Sequence, residues 1–179
     1  KAMEAIRNAT VEHHADLGII FDTDVDRAAT VLSNGKEINK NALIALMSAI
    51  LVKDYPNSTI VTDSVTSDQL EDFLVNRLGL QHHRFKRGYR NVINESIRLN
   101  NEGIVSPLAI ETSGHGALKE NYFLDDGAYM SVKILIEAVR CKREGKSIGD
   151  LLDGLEEALE TKECRLRILV DDFKSYGLQ

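Results

Sequence analysis

Cysteine is scarce in this chain, and the two present, Cys141 and Cys164, stand far apart with no Cys or His neighbour at metal-ligand spacing. Neither a zinc site nor a disulfide framework is suggested by that pattern, and a reducing interior fits best. Long apolar runs are missing as well. No stretch reaches the roughly 18 residues of a membrane-spanning helix, and no charged-then-apolar leader precedes a small-residue cleavage site. The expectation is an intracellular soluble protein with no membrane partner. Positive charge is in deficit, with 22 Lys and Arg against 28 Asp and Glu for a net charge of -6. Nucleic acid is thereby excluded as the main partner, because binding to a phosphate backbone is driven by an excess of Lys and Arg. Internal repeats and low-complexity tracts are absent too. What is present is 179 residues with 43% hydrophobic content, enough to bury a core in one domain or slightly more.

Strand-like and helix-like segments alternate along the chain. Residues 3–11 are helix-like, 17–21 form a short apolar run, and 28–32 read as a second strand closed by the turn signal Ser33-Asn34-Gly35. This opening is a helix and a hairpin-like pair, too little for a closed domain. Residues 41–53 are almost wholly apolar and long enough to favour a buried helix, with Asn39 or Asn41 as its cap and Pro56 beyond its end. Residues 59–62 read as a strand, and Leu70, Phe73, Leu74 and Leu78 recur at helical spacing before Gly79. Residues 81–85 are a weaker strand. Val92, Ile93, Ser96 and Ile97 give a helical face, and 104–110 read as a strand interrupted by Pro107. A long helix is predicted over 126–143. Ser147 with Asp150 resembles a capping box ahead of an apolar face of Ile148, Leu151, Leu152, Leu155 and Leu159, and 166–170 close the chain as a strand-like run. The fold class is therefore α/β, a layered, mostly parallel mixed sheet flanked by helices, whose ligands bind at the carboxyl ends of strands.

Three polar stretches follow predicted strands, at 22–27, 84–90 and 111–115. In the first, Asp22, Asp24 and Asp26 alternate, so their carboxylates can converge on a hard divalent cation, with Mg2+ the natural candidate. An EF-hand fails, since counting from Asp22 puts Arg27 where the loop glycine belongs and Ser33 where the closing Glu belongs. A solvated acidic turn is the bland alternative. Arg27 bears on the choice, because a cation beside metal-bound carboxylates can hold a phosphate oxygen that the metal also touches. The apolar strand ending in Asp22-Thr23-Asp24-Val25 also resembles the nucleophile motif of haloacid-dehalogenase-type phosphatases, with Asp22 as nucleophile. Spacing within the loop does not separate these readings.

Glu111-Thr112-Ser113-Gly114-His115-Gly116 offers a carboxylate acceptor, a hydroxyl and two glycines that permit close backbone approach to a ligand. His115 is suited to proton transfer near neutral pH, although a lone His is more often a hydrogen-bonded bystander. The stretch from His82 to Arg90 is the one dense basic patch; its interleaved aromatics suggest nucleic acid, which the overall acidity opposes.

Taken together, residues 16–27, 111–116 and Asp125-Asp126-Gly127-Ala128 resemble the α-D-phosphohexomutase superfamily of phosphoglucomutases and phosphomannomutases, over essentially the whole chain. The resemblance implies that Asp22, Asp24 and Asp26 bind Mg2+ and that Arg27 assists the phosphate of a catalytic phosphoserine. It implies that Glu111 and Ser113 grip sugar hydroxyls, with His115 beside them, and that Lys86, Arg87, Gly88 and Tyr89 face the sugar phosphate. Thr23 departs from the Gly usual in the family's metal loop, which restricts that turn's backbone. Residues 1–36 would be the end of the second domain, 37–165 the third domain, and 166–179 the start of the link to the fourth. No phosphoserine loop and no C-terminal phosphate-binding loop occur in this sequence, so the piece is expected to be inactive by itself. Its expected partners are a hexose phosphate (glucose, mannose or amino-hexose) and the remaining domains of the same enzyme, in cytoplasm or plastid. Two competitors stand beside this: the phosphatase using Asp22, and a non-catalytic domain that binds sugar phosphate or metal.

Overall fold

In the computed structural model, the residues described are 1–158 together with Lys162 and Leu169. The predicted strand at 166–170, the predicted link at 166–179, and Leu159 lie outside them, apart from Leu169 itself. Helix α1 (Ala2–Glu12) leads into strands β1 (Leu17–Phe21), β2 (Ala28–Leu32) and β3 (Glu37–Ile38), which pair antiparallel in the order β1-β2-β3. Leu17 lies opposite Leu32 and Phe21 opposite Ala28, so the acidic stretch 22–27 is the connection at the open end of this hairpin. Strand β3 is an addition to the predicted pair.

Helix α2 (Lys40–Leu51) follows, and every residue from Leu43 to Leu51 is buried, as its unbroken apolar run requires. Its capping differs from expectation. Asn39 sits at the N-cap position without a side-chain bond to the helix; its amide binds Glu37 instead, while the Asn41 amide oxygen accepts from the Ser67 N–H. The second sheet has the order β5-β4-β6-β7, from β4 (Thr59–Asp63), β5 (Gln81–Phe85), β6 (Leu108–Ile110) and β7 (Gly116–Leu118). Strands β4, β5 and β6 run parallel and β7 returns antiparallel. Helix α3 (Asp68–Asp72), continued as a π-helical turn over Phe73–Arg77, links β4 to β5, and α4 (Tyr89–Asn101) links β5 to β6. Helix α5 (Gly127–Arg143) and two 3-10 turns (Lys119–Asn121 and Ile148–Leu152) complete the described elements.

Side-chain alternation on β4 and β6 divides the core into two layers, as a strand with both faces covered demands. Ile60, Leu108 and Ile110 pack with Leu43, Leu46, Met47, Phe73, Met130 and Ile134 on the face carrying α2 and α5. Val61 and Ala109 pack with Val92 and Leu99 of α4 on the other. The α/β expectation, a largely parallel sheet between helices, therefore holds for this unit.

Two predicted elements are shorter than expected. The strand expected over 104–110 is confined to Leu108–Ile110. Ile104 and Val105 are exposed, and the Ile104 N–H turns back to the Leu99 carbonyl to close α4, aided by Gly103 at φ +84°. The apolar face after Ser147 forms only the 3-10 turn. Its capping box is present, with Gly149 N–H donating to Ser147 Oγ and Ser147 N–H to Asp150 Oδ2, but Gly154 at φ +90° ends any continuation. No helix of the described residues is long and apolar enough to cross a membrane.

Candidate functional site

The connection between β1 and β2 gathers three carboxylates. Asp22, Asp24 and Asp26 each offer an oxygen within 4.8 Å of the others. Arg27 closes the loop on itself: its backbone N–H donates to Asp22 Oδ1 at 3.2 Å and its Nε to Asp22 Oδ2 at 2.6 Å, with Asp26 Oδ1 at 3.8 Å. Burial pushes the Asp22 carboxyl up, but the hydrogen bonds and charge of Arg27 outweigh it and hold the group below the usual carboxylate value. Asp26 Oδ1 is buried and has no hydrogen-bond partner. One guanidinium thus faces three carboxylates, one of whose oxygens is unsatisfied. A hard divalent cation with oxygen ligands fits such a donor set. The strained residue is Val25, at φ +66°, an uncommon conformation for a β-branched side chain. Thr23 is not among the positive-φ residues, so the expected restriction from its replacing Gly does not arise there.

The stretch 111–115 is the connection between antiparallel β6 and β7, at the end of the sheet where parallel β4 and β5 also terminate. Glu111, only 4% exposed, accepts the Gly88 N–H on Oε1 at 2.6 Å, and Ser113 Oγ lies 3.5 Å from Oε2. The loop is closed by Glu111 N–H to the His115 carbonyl and Gly114 N–H to the Glu111 carbonyl. Gly114 and Gly116 differ from expectation: both are buried, and a Cβ on Gly114 would come within 3.1 Å of the Ala28 carbonyl, while one on Gly116 would meet Met130. Their missing side chains admit protein rather than ligand. Below the loop, Asp63 at the end of β4 is 1% exposed and accepts from Thr112 N–H at 3.1 Å and Thr112 Oγ1 at 2.7 Å.

The two loops meet at His115. Arg27 and His115 form an isolated antiparallel bridge, the Ala28 N–H reaches the Gly114 carbonyl at 3.4 Å, and the Gly127 N–H donates to the Val25 carbonyl at 3.1 Å. His115 Nδ1 is 2.8 Å from Asp125 Oδ2 and 3.6 Å from Asp26 Oδ2. The imidazole also stacks on Tyr89, with ring centroids 5.0 Å apart and an interplanar angle of 22°. Burial raises the Asp125 carboxyl against the downward pull of His115. Asp125 and Asp63 are site residues that sequence reasoning did not single out. The only signal for Asp125 was its place in the Asp125-Asp126-Gly127 motif, whose second Asp caps α5 by accepting the Tyr129 N–H at 2.9 Å.

The basic stretch divides. Gly88 and Tyr89 join the site through Glu111 and His115. Lys86 and Arg87 are exposed, and neither side chain forms an ion pair or hydrogen bond among the described residues. Arg84 turns away to Thr66 Oγ1, the Ser67 carbonyl, Asp68 and Glu71, and Arg90 lies 5.7 Å from the centre of the Tyr89 ring.

Comparison with known proteins matches residues 39–158 to the family described as phosphoglucomutase/phosphomannomutase, alpha/beta/alpha domain III. The chain belongs to this family. Among its relatives, the phosphoglucosamine mutase of Syntrophomonas wolfei is 30% identical over 155 residues, covering 86% of this chain and 33% of that protein. The phosphomannomutase/phosphoglucomutase of Pseudomonas syringae pv. tomato is 28% identical over 158 residues, covering 88% and 32%. A solved phosphoglucomutase/phosphomannomutase family protein from Burkholderia thailandensis superposes with a TM-score of 0.73 at 27% identity, over 89% of this chain and 33% of that one. The N-acetylphosphoglucosamine mutase of Aspergillus fumigatus, solved with GlcNAc-6P and magnesium, shares the fold at a TM-score of 0.54 and 11% identity. The chain spans about a third of the length of the curated family members it matches. The matched residues, 39–158, correspond to the family's domain III.

Proposed function

We propose that the polypeptide containing this chain interconverts hexose 1-phosphates and hexose 6-phosphates, through a phosphoserine and a bisphosphorylated sugar, with Mg2+ as cofactor. The observation that carries this is the junction of the two loops, in which the carboxylate loop and the 111–115 loop share the Arg27–His115 bridge and the 3.6 Å approach of Asp26 to His115. A carboxylate site for a cation and a loop suited to sugar hydroxyls lie side by side, as transfer of a phosphoryl group on a sugar requires. The relatives named above are mutases of this kind, and one shared fold was solved with both sugar phosphate and magnesium.

Asp22, Asp24 and Asp26 would hold the cation, which when bound supplies charge stabilisation to the transferring phosphoryl group. Arg27 holds Asp22 in place and presents a guanidinium beside the same oxygens. Glu111 and Ser113 are assigned to the sugar hydroxyls. The Glu111 carboxylate is oriented by the Gly88 N–H, so the 86–89 loop and the sugar loop are set together. Lys86 and Arg87, uncommitted to other side chains, are assigned with Gly88 and Tyr89 to the sugar phosphate, and His115 to a sugar hydroxyl. Residues 1–36 are assigned to the end of a preceding domain and 166–179 to the start of a link. Residues 37–165 are assigned to the third domain, within which the family match covers 39–158.

A phosphatase in which Asp22 attacks phosphorus is poorly supported, because both Asp22 oxygens accept from Arg27 and the sugar loop is left without a role. The test is turnover. The complete polypeptide with Mg2+ should convert glucose, mannose or glucosamine phosphates between their 1- and 6-forms, while the 179-residue chain alone should convert none. Absence of turnover on all three by the complete polypeptide, or turnover by the chain alone, would overturn the assignment.

A further inference from the structure

His115 is held on several sides, and the residue that holds it most closely is one that no role has yet been given. Asp125 Oδ2 stands 2.8 Å from His115 Nδ1, and Asp125 Oδ1 accepts the Gly116 N–H at 3.1 Å. Both carboxylate oxygens are therefore in use, and the carboxylate cannot rotate without breaking a bond to the strand that begins beside His115. The backbone is pinned as well, by the bridge between Ala117 and Asp125. Tyr89 covers one face of the imidazole, and Asp26 Oδ2 lies on the same nitrogen as Asp125 at 3.6 Å.

We propose that Asp125 is a positioning residue that fixes His115 as its Nδ1–H tautomer and thereby leaves Nε2 as a hydrogen-bond acceptor for a hydroxyl group of the ligand. A neutral imidazole carries one N–H and one lone pair, and an ionised carboxylate can only accept. The 2.8 Å contact places the proton on Nδ1. Asp26, the second carboxylate near that nitrogen, reinforces the same choice. Nε2 has no hydrogen-bond partner among the described residues. The side chain is 16% exposed, with one face of the ring under Tyr89. A lone pair offered at Nε2 selects a donor, which a sugar hydroxyl is and a fully ionised phosphate oxygen is not. The hydroxyl-binding step rests on the mutase assignment above, whereas the tautomer is a property of this chain alone.

The experiment is a long-range 1H–15N correlation spectrum of the 179-residue chain labelled with 15N-histidine, recorded at about pH 8.5, where imidazoles are ordinarily neutral. The His115 signals are identified by their loss in His115→Gln. The wild type is expected to show His115 with its proton on Nδ1, against the Nε2–H form that free imidazole side chains favour in water. Asp125→Asn keeps only one acceptor oxygen; with that oxygen on the Gly116 N–H its amide NH2 faces Nδ1, so His115 is expected to switch to the Nε2–H form. Asp125→Ala is expected to shift the ratio at least about tenfold toward Nε2–H. A wild-type His115 protonated on Nε2, or an Asp125→Ala ratio unchanged from wild type, would overturn the proposal. Should Asp125→Ala fail to fold, the wild-type and Asp125→Asn spectra decide it. None of these outcomes depends on turnover, so they separate this proposal from the mutase assignment, which stands or falls on the activity of the complete polypeptide.

Discussion

The Gly88 amide donates to Glu111 Oε1 at 2.6 Å, joining the turn before α4 to the loop between β6 and β7 across 23 residues of chain. Because Glu111 is almost fully buried, this charge-assisted bond is a condition of holding the carboxylate there at all. Glu111→Ala leaves the Gly88 N–H without its acceptor, and it is expected to destabilise the chain by about 1.5–3 kcal/mol. Glu111→Gln keeps an acceptor oxygen and is expected to lose less. Urea denaturation of the three proteins measures the order, and an Ala variant as stable as wild type would mean that the bond holds nothing in place.

His82 gives the fold a dependence on pH. Its side chain is 1% exposed, and its Nε2 pairs with Thr62 Oγ1 at 2.8 Å. Burial, with the charges of Arg84 and His83, lowers its pKa to about 4 from an ordinary 6.5. Between those values the unfolded chain binds a proton that the folded chain refuses. The stabilisation is therefore complete above about pH 6.5 and is lost as pH falls toward 4. Allowing for solvent screening, the loss from this group is ~2 kcal/mol. His82→Gln should flatten the fall in urea midpoint between pH 7 and pH 4.5 relative to wild type.

Gly127 begins α5 directly against the carboxylate loop. A Cβ there would lie 2.8 Å from the Arg27 carbonyl carbon and 3.0 Å from the Val25 oxygen, both backbone atoms that cannot swing aside. Gly127→Ala is expected to destabilise by about 1–3 kcal/mol through overpacking. It should also shift the backbone amide resonances of 22–28 more than those of α2, which a general loss of stability would not do.

Much of this architecture was readable because local pattern and tertiary role coincide. Residues 17–21, 28–32 and 59–62 are short, largely apolar runs carrying β-branched or aromatic side chains, and 41–53 is apolar beyond strand length, so burial and pattern point the same way. Strands β3 and β7 have two and three residues, and Gly116-Ala117-Leu118 carries neither alternation nor β-branching, so only pairing with β6 makes it a strand. Ile104 and Val105 misled in the opposite direction: both are β-branched but exposed, the Ile104 N–H closing α4 and the Val105 carbonyl accepting from Thr59 N–H. The carboxylates at 22–26 were legible because all three lie within one turn. The pairing of His115 with Asp125, and of Asp63 with Thr112 across 49 residues, is made by tertiary structure and leaves no trace in spacing.

The core offers a control that touches no site residue. Ile44 is 0% exposed in the middle of α2. Ile44→Ala removes buried methyl groups and leaves a cavity, and it is expected to cost about 2–5 kcal/mol in urea denaturation. The pH dependence assigned to His82 should survive in this variant, since the lost packing carries no proton.

Arg27 and a divalent cation compete for the same oxygens. With Arg27 Nε at 2.6 Å, Asp22 Oδ2 is already engaged by a positive charge, while Asp26 Oδ1 waits without a partner. Binding Mg2+ to this chain alone must loosen that ion pair, so calorimetric titration is expected to show weak binding. Asp26→Asn removes a carboxylate without a comparable change in volume and should abolish the binding. Arg27→Gln frees Asp22 and removes a like charge from the cation's surroundings, so it should bind Mg2+ more tightly than wild type, even if it impairs turnover in the complete polypeptide. Binding that is tight in the wild-type chain, or weakened by Arg27→Gln, would show that the guanidinium supports the cation site rather than standing in for its charge.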